Sequence, residues 1–151
     1  MALSVLKIPQ GFDWPLGYVN VANNGTPVNI MVNVDANNVN APASANGSAY
    51  TPRCHRIFYQ GFRPGNNNNG MVANTGNVYI LRALGPGNQN GGGPQNRADS
   101  GAMVGIIPPG GGVYNLPADE RDSATISPYA YTLDADVDGE GALVTLIGAQ
   151  R

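Results

Sequence analysis

The sequence predicts an all-β protein, a jelly-roll-like antiparallel β-sandwich with an extended N-terminal arm. Three observations lead there. Apolar residues come in short runs that alternate with polar ones, as in Val28-Asn29-Ile30-Met31-Val32-Asn33-Val34-Asp35. Gly, Pro and Asn punctuate these runs at short spacing. No window sustains the helical period. Strand side chains alternate between faces, so an alternating run is a strand with one buried face, and roughly eight such runs with turn signals between them describe a sandwich or barrel.

The elements follow in order. Residues 1–16 form the arm, with the sandwich domain at 17–151. Leu3, Val5, Leu6, Ile8, Phe12, Trp14 and Leu16 are apolar, but Pro9, Gly11 and Pro15 interrupt any long element. An isolated arm cannot bury such side chains. Leu3, Val5, Leu6, Ile8, Phe12 and Trp14 are therefore the candidate interaction residues, packing on this domain or reaching a neighbour. Tyr18 to Ala22 is a short strand, and Asn24-Gly25 turns the chain. Thr26 to Asp35 is the best strand, Val28, Ile30, Val32 and Val34 forming its buried face. Residues 36–51 are a loop. A strand surrounds Arg56-Ile57-Phe58-Tyr59, and Pro64 to Gly70 is an Asn-rich loop. Val78 to Leu81 is a strand. Residues 84–101 form the longest structureless stretch, a length uncommon in a compact domain. Met103 to Ile107 ends at Pro108-Pro109, and Gly110-Gly111-Gly112 turns into Val113 to Leu116. Ala118 to Ser123 suits a short helical turn. Tyr129 to Val137 is a strand, and Gly139-Glu140-Gly141 turns it into Ala142 to Ile147.

Composition narrows the class. The 151 residues suit one domain. Only 12% are charged and the net charge is −2, which does not suit a nucleic-acid surface. Low charge leaves little repulsion between copies, so a neutral, Asn-rich surface suits assembly. A single cysteine, Cys54, cannot form an intrachain disulfide. Asn24-Gly25-Thr26 and Asn46-Gly47-Ser48 match the glycosylation pattern, as chance allows in so Asn-rich a chain. No signal peptide is visible, and no apolar run approaches the ~18 residues of a membrane span.

Candidate chemistry is thin. Asp134-Ala135-Asp136-Val137-Asp138-Gly139 resembles the opening of a calcium loop, but Thr145 stands where the bidentate Glu belongs. The sequence instead predicts Leu133, Ala135 and Val137 buried and Asp134, Asp136 and Asp138 on a wet face. Three like charges on one face repel unless a cation or an arginine is near, which leaves these aspartates the weak metal candidates. Cys54 and the only histidine, His55, point to opposite faces of a strand and are too few for zinc. Gly85-Pro86-Gly87 and Gly91 to Gly93 lack the lysine and helix start of a phosphate cradle. Tyr59, Tyr79, Tyr114, Tyr129 and Tyr131 suit cross-strand packing better than a sugar-binding face. No cofactor and no catalytic residue are expected.

One pattern is familiar. Asn74-Thr75-Gly76-Asn77-Val78-Tyr79-Ile80 is followed by Gly105-Ile106-Ile107-Pro108-Pro109-Gly110-Gly111-Gly112-Val113-Tyr114, then Ile126-Ser127-Pro128-Tyr129-Ala130-Tyr131 and a strand over Gly141 to Ile147. Residues 74–147 in this order resemble the small β-sandwich proteins of tailed-phage virions, most of all capsid decoration (cement) proteins. The resemblance implies a non-enzymatic virion protein on the capsid surface, a homotrimer that binds the major capsid protein and staples neighbouring capsomers. It implies no nucleic-acid or membrane partner. The alternatives are a receptor- or glycan-binding module of a head fibre or tail and a lectin-like domain of cellular origin.

Overall fold

A computed structural model describes residues 12–33, 53–66, 70–82, 97, 103–117 and 126–149. Among them are ten strands: β1 (Phe12–Val21), β2 (Val28–Asn29), β3 (Arg56–Gln60), β4 (Phe62–Pro64), β5 (Met71–Ala73), β6 (Val78–Arg82), β7 (Met103–Ile107), β8 (Val113–Pro117), β9 (Tyr131–Ala135) and β10 (Glu140–Ala149). One sheet has the order β1-β10-β3-β8, and the second has the order β2-β9-β6-β7. The hairpin β4-β5 stands apart as an insertion between β3 and β6.

The pairing is nested. The outermost strands β1 and β10 pair, then β2 with β9, β3 with β8, and β6 with β7, all antiparallel. A long hairpin of this kind, wrapped so that its successive rungs fall alternately in two facing sheets, is the eight-stranded jelly roll. The cross-pairs β10·β3 and β9·β6 close each sheet. Leu16, Val19, Val21, Ile57, Tyr59, Ala142, Val144 and Leu146 of the first sheet meet Val78, Ile80, Ile107, Leu133 and Ala135 of the second. β3 and residues 142–147 of β10 thus bury one face in strict alternation.

The first strand corrects the expected arm. Residues 12–16 are not an appendage: Phe12 lies opposite Ala149 and Trp14 opposite Leu146. Trp14 packs against the core and Leu16 is buried in it. Two features make this possible. β1 is an edge strand, where Pro15 leaves no central ladder bond unmade. A register shift between Pro15 and Gly17, with Gly17 at φ 82°, then re-phases the strand. Leu16 and Val19 can therefore both point inward although three positions apart. Leu3, Val5, Leu6 and Ile8 lie outside the described residues.

The run at Val28 to Val34 is a second correction. Pairing stops at Asn29, Ile30 and Met31 form a turn, and Val32 and Asn33 take helical backbone. Asn29 ends the strand. Its Oδ1 accepts the Met31 N–H at 2.8 Å, and its amide donates to the Tyr129 carbonyl at 2.8 Å. An Asn side chain that captures the backbone two residues on substitutes for a ladder bond and bends the chain. Ile30 and Met31 are consequently both buried and Val32 is exposed. Val34 and Asp35 lie outside the described residues, as do the loops at 36–51 and 84–96 and the segment 118–123. Among the described residues no helix is long and apolar enough to cross a membrane.

Candidate interaction surface

The acidic segment is only partly a wet face: Asp138 is exposed and Asp136 half-buried, but Asp134 is not on it. Asp134 is buried at 1% exposure, beside buried Leu133 and Ala135, whereas Val137, expected inside, is exposed. The arginine that like charges require is Arg97. Its Nε donates to Asp134 Oδ2 at 2.6 Å and its Nη1 to Asp136 Oδ1 at 2.8 Å. Its Nη2 donates to Asn24 Oδ1 at 2.6 Å and to the Ala135 carbonyl at 2.8 Å. The remaining oxygen of Asp134 accepts the Gly25 and Ala135 N–H groups. Asp136 also accepts from the Tyr79 hydroxyl and from Asn77. Burial works to raise the pKa of Asp136, but the bonds from Tyr79, Asn77 and Arg97 outweigh it and hold the carboxyl below its ordinary range. Asp138, at the turn before β10, accepts the Asn24 N–H at 2.7 Å. The segment thus docks the Asn24-Gly25 turn and one point of the 83–102 connection. Among the described residues no three His, Cys, Asp or Glu side chains are grouped to hold a metal.

A second carboxylate, Glu140, which the sequence places in a turn, is buried. Its Oε1 accepts the Thr75 N–H and hydroxyl, each at 2.8 Å, and its Oε2 accepts the Gly76 N–H at 2.9 Å. Arg63 Nε lies 3.4 Å away. Burial opposes ionisation of Glu140, yet these donors and Arg63 hold its pKa below the ordinary value. Neighbouring Asn74 is buried and donates to the Gly141 carbonyl at 2.7 Å. The Asn74-Thr75-Gly76 motif is therefore a bracket around the start of β10. Close packing fixes this start: a Cβ at Gly141 would stand 1.9 Å from the Val19 carbonyl oxygen, so only glycine fits there.

Cys54 is buried, and desolvation pushes its thiol up to about 12, which removes it from thiolate chemistry. His55 is half-buried against Gly148. Tyr59 and Tyr131 are core residues, and Tyr114 meets Tyr59 edge to face with centroids 6.3 Å apart. Tyr79 lies beneath Arg97. The tyrosines do not line a common outer face.

Among the described residues, what remains open is an edge. At one side of the sandwich β1 borders the first sheet, and the Asn33 amide covers it by donating to the Leu16 and Tyr18 carbonyls at 3.2 and 2.8 Å. At the other side the border strands are β7 and β8. Neither contains a charged residue. Val113 is 57% exposed, Ile106 48%, and Met103 36%. Natural edges are usually blunted by charge, Pro or a bulge, because an unpaired row of N–H and C=O groups invites another strand. β7 carries such a bulge near Val104, whose carbonyl accepts the Tyr114 hydroxyl at 2.8 Å. β8 pairs with β3 over five residues without a shift. The turn between β7 and β8 is anchored to the inserted hairpin through Gly61 N to the Gly112 carbonyl at 2.8 Å and Gly110 N to the Asn74 carbonyl at 3.0 Å. The edge is thus presented on a fixed frame. The sequence marked β7 and β8 as strands but not as a border, since edge position is a property of topology.

No protein-family model, no curated protein and no solved structure matches the chain.

Proposed function

We propose that this protein is a structural virion component that decorates a phage capsid, bridging capsomers as a homotrimer. The observation that carries the reading is the uncharged, apolar edge of β7 and β8 on a jelly-roll frame. A single-domain sandwich with an open edge and few charges is built to add itself to other β surfaces, and the jelly roll is a frequent architecture of capsid proteins. The resemblance of residues 74–147 to decoration proteins supplies the phage context. Binding across capsomer junctions would stabilise a shell by mass action, since the bound protein favours the closed assembly.

The test is co-sedimentation with heads assembled from the cognate major capsid protein. Saturable binding and a higher head-disruption temperature are expected. Binding of the isolated protein to glycans or cells, with none to heads, would replace this reading with the receptor- or glycan-binding module.

A further inference from the structure

We propose that the outer edge of β8 receives the N-terminal residues of a second copy of this chain, which add a fifth strand to the first sheet. The inference deepens the assembly part of the proposed function and does not depend on the capsid. Among the described residues, β8 has a partner, β3, on one side only. It is uncharged and pairs without a bulge, and it exposes Val113 and Asn115; Pro117 at its end lacks an N–H, so the open row of backbone groups runs over Val113 to Leu116. β7 is the poorer acceptor, because its bulge and the Tyr114 hydroxyl interrupt its row of backbone groups.

The donor is set by where the chain leaves the sandwich. β1 starts at Phe12, opposite Ala149, and forms the other border of the same sheet. Residues 1–11 precede it. Fully extended they reach about 36 Å, whereas the four-stranded sheet is only roughly 14 Å across. Residues 2–8, Ala-Leu-Ser-Val-Leu-Lys-Ile, contain no Pro, so every amide can donate to a ladder. They carry one charge, Lys7, and four large apolar side chains that suit an apolar edge. Donor and acceptor lie on opposite borders of one sheet, so the contact between copies is head-to-tail. A head-to-tail contact that closes makes a ring, of which a trimer is the smallest beyond a pair.

The test uses full-length chains mixed in pairs. One copy carries Ser4→Cys and the other Val113→Cys or Asn115→Cys, two outward positions that together tolerate a shift of register. A disulfide between two such copies can only be interchain, and Cys54 is buried. After mild oxidation the mixed pairs should cross-link about tenfold more than Ser4→Cys mixed with Ala22→Cys, because docking raises the local concentration. Val113→Lys in the Asn115→Cys copy should abolish the cross-link while leaving its melting temperature unchanged. Cross-linking no better than the Ala22→Cys control overturns the proposal. If the protein still binds heads in that case, the decoration reading stands without it.

Discussion

The guanidinium carbon of Arg97 lies 4.3 Å from the centre of the Tyr79 ring, while the Tyr79 hydroxyl reaches past it to Asp136 at 3.0 Å. One aromatic side chain thus supports the cation from below and one of its anions from the side. Four hydrogen bonds from Arg97 complete the arrangement. Together they tie the β1–β2 turn, β6, the start of the β9–β10 turn and one residue of the 83–102 connection into a unit.

Arg97→Ala should lower stability by about 3 kcal/mol, the low end for breaking a buried pair, because Arg97 keeps 26% exposure. Arg97→Lys should recover only part of this, since an ammonium cannot bond Asp134, Asp136 and Asn24 as a fork does. Urea denaturation of the three proteins measures both effects.

Calcium or a chelator should leave the melting temperature of the unmodified protein unchanged. The carboxylates of Asp134 and Asp136 already face a cation that is part of the chain. A rise of several degrees with calcium would mean that a ligand binds the folded state selectively, and would overturn this assignment.

Stability should fall in acid. Asp136 and Glu140 titrate below their ordinary values in the folded protein. The unfolded chain therefore takes up protons first as pH drops through about 4. Their contribution is complete above that range and disappears as pH falls through the depressed folded values. Glu140→Gln should lower stability at pH 7 and flatten the acid side of the curve, as read by thermal melts across pH.

Gly105→Ala should destabilise by about 1–3 kcal/mol, the range for overpacking. The added Cβ would stand 2.4 Å from Tyr114 Cε2, and the ring cannot retreat without losing its bond to the Val104 carbonyl. Tyr114→Phe keeps the ring and should cost about 1 kcal/mol. Thermal melts of both variants check the order.

Removing residues 1–11 should leave a folded sandwich, and removing 1–16 should not. The longer deletion takes Trp14 and Leu16 from the core and three of the eight β1–β10 pairs. Circular dichroism separates the two truncations. Light scattering should show that the shorter one no longer assembles, and sedimentation that it binds heads weakly.

The residues that could be read from sequence are those whose neighbours in the chain decide their fate. Val78 to Leu81, Met103 to Ile107 and Val113 to Leu116 alternate or stop at Pro and Gly, and each is a strand. Asn24-Gly25 is the expected turn. Val28 to Val34 was misleading because Asn29 and Asn33 look like solvent-facing positions. Both instead spend their amides on distant carbonyls, at Tyr129 and at Leu16 and Tyr18. Asp134 was equally opaque: its partner is 37 positions away, in a Gly-rich stretch without periodicity. The hairpin β4-β5 was missed because three-residue strands are too short to show a period.

The nested order of the strands also sets when this protein can fold. β10 lies between β1 and β3, so among the described strands β1, the earliest in the chain, has no sheet neighbour until β10, the latest, is made. Neither sheet can be completed by hairpins formed in passing. Closing such distant pairs is entropically slow, and folding in milliseconds to seconds is expected for this kind of topology. During synthesis β1 and β3 wait with unsatisfied edges, which makes the nascent chain the most aggregation-prone form of the protein. Slower translation would lengthen that exposure without helping, because no intermediate length of chain offers β1 its partner.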